Sequence, residues 1–297
     1  MTSSQTDDAA RIFAEHRSML VGVAYRILGS IADAEDAVQD AWLRWAEVDQ
    51  HDVERPRAYL ITIVTRQAIN RVRQQQRRRE SYIGPWLPEP LPDLQVAGAD
   101  TAVELADSLS MAMLVILQTL SPAERAAFVL REVFGFGYDE IAGSLDRSPA
   151  AVRQLVSRAR QHVRADSRER PVSAAEHRQV AEEFLLALRQ GSIDRLLPLL
   201  DPDAVLISDG GGKRKAALRP IRGARKILRF LSAVLATEEV SGMWPALVTV
   251  NGQPAVQFGD TATTDSLGFI EILDGRITEL YLIRNPDKLG RIEPHGG

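Results

Sequence analysis

The chain contains no cysteine, which excludes a disulfide framework and any thiolate metal site. Lysine is nearly as scarce: 32 of the 36 cations are arginine, and the first lysine is Lys213. A GC-rich genome accounts for that bias, so it assigns no function. No apolar run approaches the roughly 20 residues of a membrane-spanning helix. The opening MTSSQTDDAA lacks both the basic and the apolar region of a signal peptide. The expectation is a cytoplasmic protein. Its 297 residues suffice for two or three domains, each with its own core.

A net charge of −4 opposes bulk attraction to nucleic acid. The distribution is uneven, however. Residues 1–50 hold nine acids against four arginines, whereas residues 66–79 hold six arginines and no acid. Residues 147–170 hold seven arginines against two acids. Solvated helix faces would give such runs without function; two separate anion contacts would give them as well, and their placement on helices decides between the two.

Apolar residues at helical spacing around Met19–Leu28 end at Gly29, a C-cap position, and Ser30 can cap a second helix, IADAEDAVQDAWLRWAEV. Its apolar stripe is Ala34, Val38, Ala41, Trp42 and Trp45; its other face carries Asp33, Asp36 and Asp40. The helix macrodipole favours acids in the first turn, so Asp40, beyond that turn, requires solubility or a basic partner. A third helix starts near Pro56. Along it Arg66, Asn70, Arg73 and Arg77 fall at spacings of four, three and four, which aligns them on one face. An acid-free arginine stripe, with Arg71 beside it, has the character of a nucleic-acid surface.

Prolines 85, 88, 90 and 92 then exclude a helix and predict an extended linker. Trp86 and Leu87, with Pro88, are too apolar for a plain tether, so the linker is expected to dock onto something. Further on, Ser121, Pro122 and Glu124 form a capping-box pattern. A short helix at Tyr138–Leu145, the turn Asp146–Pro149 and a longer helix make a helix-turn-helix. In the longer helix Val152, Val156, Ala159 and Val163 face inward, while Arg153, Gln154, Ser157 and Arg158 face outward with Arg160 and Arg164. Arginine and glutamine can read base edges, and further arginines hold phosphates.

From about residue 174 two helices, Ala174–Gln190 and Ile193–Leu200, precede a strand at Ala204–Ser208, the run SDGGGKRK and a helix at Ala224–Leu235. WPALVTV-NG-QPAVQF and SLGFIEIL-DG-RITELYLI are hairpins by their turn dipeptides. Helices followed by hairpins predict an α+β domain with a curved antiparallel sheet.

Taken together, DAEDAVQDAWLRW with RPRAYLITIVTRQAINRVR resembles domain two of an extracytoplasmic-function (ECF) sigma factor. LSPAERAAFVLREVFGFGYDEIAGSLDRSPAAVRQLVSRAR resembles domain four, and the tail resembles a SnoaL-like domain of the ketosteroid-isomerase superfamily. WLPEP (86–90), DGGGK (209–213) and NPDKL (285–289) narrow the resemblance to the ECF subgroup with a fused SnoaL-like extension. The implied fold is multidomain. Residues 1–80 form an all-α sigma domain, 81–100 the linker, 101–170 a second all-α domain with the helix-turn-helix, and 174–291 an α+β cone. The resemblance implies two partners, core RNA polymerase (β′ and β subunits) and promoter DNA. It assigns Asp33, Asp36, Asp40 and Trp42 to the polymerase, and the third helix with the loop Gln50–Arg57 to the minus-ten element, with bases flipped into that loop. It assigns the second helix of the helix-turn-helix to the minus-35 element. One departure is Leu155, which stands where many ECF sigma factors have an exposed arginine.

SDGGGKRK fits no nucleotide motif: Ile207 holds the first P-loop glycine position, and Arg214 rather than Ser or Thr follows Lys213. Catalysis would follow the superfamily's conical pocket, with Asp209 as a general base and Tyr281, Arg284 and Asp265 as pocket groups. Against it, none of the five histidines lies in the expected strands, and Asp209 precedes a flexible glycine run. The favoured expectation is a contact within the chain. Glycines 210, 211 and 212 allow close backbone approach, while Asp209, Lys213, Asp287 and Lys288, with Asn285 and Pro286, face the sigma domains and their linker. Under that reading the tail restrains the sigma domains in cis, no separate anti-sigma factor is needed, and neither cofactor nor metal is expected. The alternative is a helix-turn-helix regulator fused to a ligand-sensing or catalytic ketosteroid-isomerase-like domain.

Overall fold

Gly29, at a φ of 70° in the computed structural model of the chain, separates α1 (Ser3–Leu28) from α2 (Ile31–Ala46). Ser30 opens α2, its hydroxyl accepting from the Asp33 N–H at 3.3 Å. The structure describes residues 3–49, 52–92, 110–166, 172–237 and 242–294. Gln50 and His51 of the expected base-holding loop, linker residues 93–100, and 101–109 and 167–170 of the second helical domain lie outside the described residues.

The chain divides into two units, the first taking residues 3–80 and 113–166. There α3 (Pro56–Arg79) packs on α1 and α2, burying Leu60 and Val64 with Leu20, Val23, Ile27, Val38 and Trp45. Trp42 is only partly buried, and its ring meets Phe13 edge-on at 5.1 Å. After α4 (Met111–Thr119), α5 (Pro122–Phe128) opens with the expected Ser121–Glu124 capping box and runs into a π turn at Val129–Val133. Arg125, 1% exposed, donates to Ile27 O at 2.8 Å and Gln118 Oε1 at 3.0 Å, tying α5 to the end of α1. Burial lowers its pKa to about 9. α6 (Tyr138–Leu145) and α7 (Pro149–Asp166) form the helix-turn-helix around Asp146, whose φ of 53° makes the tight turn.

The second unit holds residues 81–92, 110–112 and those described from 172 onward. It begins with α8 (Ala174–Arg189) and α9 (Ile193–Leu196). The helix expected to reach Leu200 stops at Leu196 and tightens into a 3₁₀ turn at Leu197–Leu199. Pro198 has no N–H to continue an α-helix. Then come β1 (Leu200–Asp209), β2 (Ile221–Arg222), α10 (Ala224–Leu235), β3 (Trp244–Val250), β4 (Gln253–Gly259), β5 (Thr264–Leu273), β6 (Arg276–Ile283) and the short α11 (Pro286–Leu289). The sheet order is β2-β1-β6-β5-β4-β3, antiparallel except for β1 beside β6. Leu206, Val256, Ile270 and Leu280 share a core with Phe184 and Leu188 of α8 and Ile227 and Leu228 of α10. Strand alternation turns Asp209, Tyr281 and Phe269 to the opposite face.

Candidate nucleic-acid surfaces and a linker clasp

The acidic strip of α2 meets α3. Arg71 donates to Asp40 at 2.7 Å and to Asp36 at 3.4 Å, and Gln75 Nε2 donates to Asp33 at 2.6 Å. Asp40 therefore has its basic partner within the chain. Arg71 differs from the sequence expectation: it turns to α2 rather than joining the exposed row of Arg66, Asn70, Arg73 and Arg77. In that row Arg66 is engaged, donating from Nε to Ser144 O at 3.2 Å and from Nη2 to Gly143 O at 3.0 Å, both at the end of α6. Asn70, Arg73 and Arg77 have open side chains.

On α7 the outward face carries Arg153, Gln154, Ser157 and Arg158, all exposed. Arg158 pairs with Glu124 at 3.0 Å, and the Arg153 guanidinium stands 5.2 Å from the Tyr138 ring centre. Leu155 is 6% exposed and belongs to the packed side of the helix, so it presents nothing to a ligand.

In the second unit the strongest feature is a buried ion pair. Asp209, fully buried at the end of β1, accepts from Lys288 Nζ at 2.6 Å. It also accepts from Tyr82 Oη at 2.6 Å, the Leu87 backbone N–H at 2.8 Å and the Gly211 N–H at 3.1 Å. Lys288 donates as well to Leu87 O and lies 3.9 Å from the Trp86 ring centre, a cation–π contact. Burial, and then the bond to Asp209, raises the Tyr82 pKa well above the usual tyrosine range. The carboxylate and the ammonium thus grip both backbone groups of one linker residue, Leu87, itself 1% exposed. Charge neutralisation with several donors is what makes a buried pair tolerable. At the other side of the sheet Asn251 and Leu91 exchange two bonds of 3.0 Å, and Pro92 bridges to Val250. These two anchors carry the linker from β1 to the β3–β4 turn.

The glycine run is fixed by close neighbours, not flexible as its composition implies. A Cβ on Gly210 would collide with Arg214 O, one on Gly211 with the Asn285 amide, and one on Gly212 would come 2.8 Å from Ile83 of the linker. Gly211 and Gly212 also hold φ of 59° and 71°. Asn285 donates to Tyr82 Oη at 2.8 Å and caps α11 by accepting from Asp287 N at 3.1 Å, with Pro286 at the first helical position. The expectation of four surface charges divides in two: Lys213–Asp287, at 2.7 Å, is exposed, while Asp209–Lys288 is buried.

A cavity of about 50 Å³ lies between the sheet and helices α8 and α10. Its walls are apolar save Ser266 and Tyr281, and among the described residues no carboxylate or imidazole lines it. Asp209 is elsewhere. Of the other expected pocket groups, Arg284 and Asp265 form a buried pair at 3.0 Å outside the lining, and the Tyr281 hydroxyl donates to Glu279. Sequence reasoning missed Tyr82 and Asn251. The first had no motif to mark it, and the second was read only as half of a hairpin turn.

Comparison with known proteins accords with this architecture. The family model Sigma-70 region 2 matches residues 12–78, and Sigma-70, region 4 matches residues 110–163. The ECF RNA polymerase sigma factor SigJ of Mycobacterium tuberculosis is 38% identical, over 92% of this chain and 90% of the relative. The probable ECF RNA polymerase sigma factor SigI of the same species is 33% identical over 99% and 100%. The crystal structure of M. tuberculosis SigJ superposes with a TM-score of 0.75 at 34% identity, covering 94% of this chain and 97% of that one. The chain belongs to the ECF RNA polymerase sigma factors, and the SigJ match extends over its C-terminal helix-and-sheet domain.

Proposed function

We propose that this sigma factor directs core RNA polymerase to its promoters in the cytoplasm and that the C-terminal domain regulates it in cis without catalysing a reaction. The working parts are residues 1–80 for the polymerase and the minus-ten element, 101–170 for the minus-35 element, and 174–291 for regulation. Asp33, Asp36, Asp40 and Trp42 meet the core enzyme. Arg66, Asn70, Arg73 and Arg77 take backbone phosphates, and Arg153, Gln154, Ser157 and Arg158 take the upstream element. In the state described here Arg71 occupies Asp36 and Asp40, and α6 carbonyls occupy Arg66. Function therefore requires these side chains to exchange partners.

The observation that carries the regulatory part is the Asp209–Lys288 grip on Leu87. The segment it holds is the one that connects the two sigma regions, so the grip sets how far apart they can move. Relief needs a signal with different affinity for gripped and free states. Under this reading a separate anti-sigma factor is not required.

Run-off transcription with purified core polymerase tests the whole reading. The full chain should initiate from its promoter, Asp209→Ala should change the yield, and Arg153→Ala with Arg158→Ala should reduce it. Specific DNA binding by the chain without core polymerase, and no initiation with it, would put an operator-binding regulator in its place. Initiation that ignores the Asp209 substitution would remove the cis-regulatory part alone.

A further inference from the structure

One charged surface has no role in the reading above. Between Asp209 and Glu238 lie 28 residues with eight cations and no acid, including three of the chain's four lysines. The remainder of the chain carries −12. All eight cations are exposed. Lys213 and Arg214 have acidic partners in Asp287 and Asp265. The other six, Lys215, Arg219, Arg222, Arg225, Lys226 and Arg229, pair with no acid among the described residues.

Their arrangement is ordered. Arg225, Lys226 and Arg229 fall within one arc of α10, opposite Ile227 and Leu228, which are buried against the sheet. Arg222 on the edge strand β2 and Arg219 just before it lead into the same helix. Folding stability alone would place acids in the first turn of α10, because the macrodipole is positive there. Instead that turn has no acid, two cations and a Gly223 cap with no side-chain bond. Like charges so placed repel one another and the helix end until an anion neutralises them.

We propose that this face of the C-terminal domain is a third DNA-contacting surface, which takes the phosphate backbone of promoter DNA without reading sequence. Guanidinium groups suit phosphate oxygens through paired N–H donors. The segment from Gly210 to Thr237 contains neither Trp nor Tyr, and beside its arginines it holds three lysines, which protein interfaces disfavour; that composition suits a polyanion better than an acidic protein. Tethering to two other DNA surfaces gives even weak phosphate contacts a high effective concentration. The inference rests on the proposed DNA-binding function and adds a contact that neither sigma region supplies.

The test compares promoter binding by full-length holoenzyme over a range of potassium chloride. The variants are Arg222→Ala, Arg225→Ala, Lys226→Ala and Arg229→Ala combined, and a charge-keeping set of Arg222→Lys, Arg225→Lys and Arg229→Lys. Thermal unfolding checks that both remain folded. Each lost phosphate contact lowers the salt slope by about 0.9, so the alanine set should flatten it by about 3 to 4, with the lysine set unchanged. Arg153→Ala with Arg158→Ala serves as reference. If the reference flattens the slope and the α10 alanine set does not, the third surface is refuted and the two sigma surfaces stand. If neither does, the proposed DNA-binding function falls with it. An α10 set that weakens core-polymerase affinity at unchanged slope would identify a protein-docking face and also overturn the inference.

Discussion

Replacing Asp209 by alanine should loosen the linker clasp more than any other single change. The carboxylate is fully buried and accepts from Tyr82, Leu87, Gly211 and Lys288. Its removal takes from the Lys288 ammonium, 8% exposed, the buried carboxylate it bonds at 2.6 Å, while the contacts to Leu87 O and two aromatic faces remain. Breaking a buried pair from one side costs about 3–5 kcal/mol. Because the chain has more than one unit, a single unfolding midpoint will not report this loss cleanly. Amide hydrogen exchange does so locally. With the N–H of Leu87 bonded to Asp209 itself, its exchange should accelerate about 10²- to 10³-fold or more. Lys288→Met should cost less, since the carboxylate keeps three donors. The double variant should be less destabilised than the two losses added, because neither charge is left buried alone. Leu87 exchange within threefold of the parent in Asp209→Ala, or strict additivity in the double variant, would refute the reasoning.

Three other outcomes follow from the same unit. Gly211→Ala forces a side chain into left-handed backbone against the Asn285 amide, and should lower the local stability read by amide exchange in β1 and β6. Gly275→Ala, at a φ of 74° with open space around it, should lose only the conformational penalty of about 1–2 kcal/mol, so equal losses would count against the close approach. Tyr82→Phe removes the hydroxyl that donates to Asp209 and accepts from Asn285, and should cost about 1.5–3 kcal/mol by denaturant titration with linker amides exposed first. Burial, with Glu279 paired across the strands, raises the Glu271 carboxyl to about 7 from an ordinary 4.5. The folded state then holds a proton that the unfolded chain has lost. Stability should fall as pH rises from about 4.5 to 7, and Glu271→Gln should abolish that fall and gain up to about 3 kcal/mol above it. A pH–stability curve unchanged by the substitution would show that the proton sits elsewhere.

The sequence by itself determined where the elements are. Ser30 and Ser121 as caps, Asp146 in the helix-turn-helix, and Asn251-Gly252 and Asp274-Gly275 as hairpin turns are all set by neighbours within a few residues. So are the proline-rich linker and the apolar stripes of α2 and α7, because capping, turn and periodicity signals act locally. Tertiary structure decided which charges meet. Arg71 lies 31 residues from Asp40, Arg66 lies 78 from Ser144, and Asp209 lies 122 from Leu87 and 79 from Lys288. Composition reads the glycine run as flexible, yet the chain packs Asn285 and Ile83 against it. An ion pair is a property of two positions brought together by topology, and its worth depends on the burial that only the packed sheet and linker create. Local pattern could therefore mark Asp209 and Lys288 as charged residues beside turns, but only the fold could make them one buried clasp.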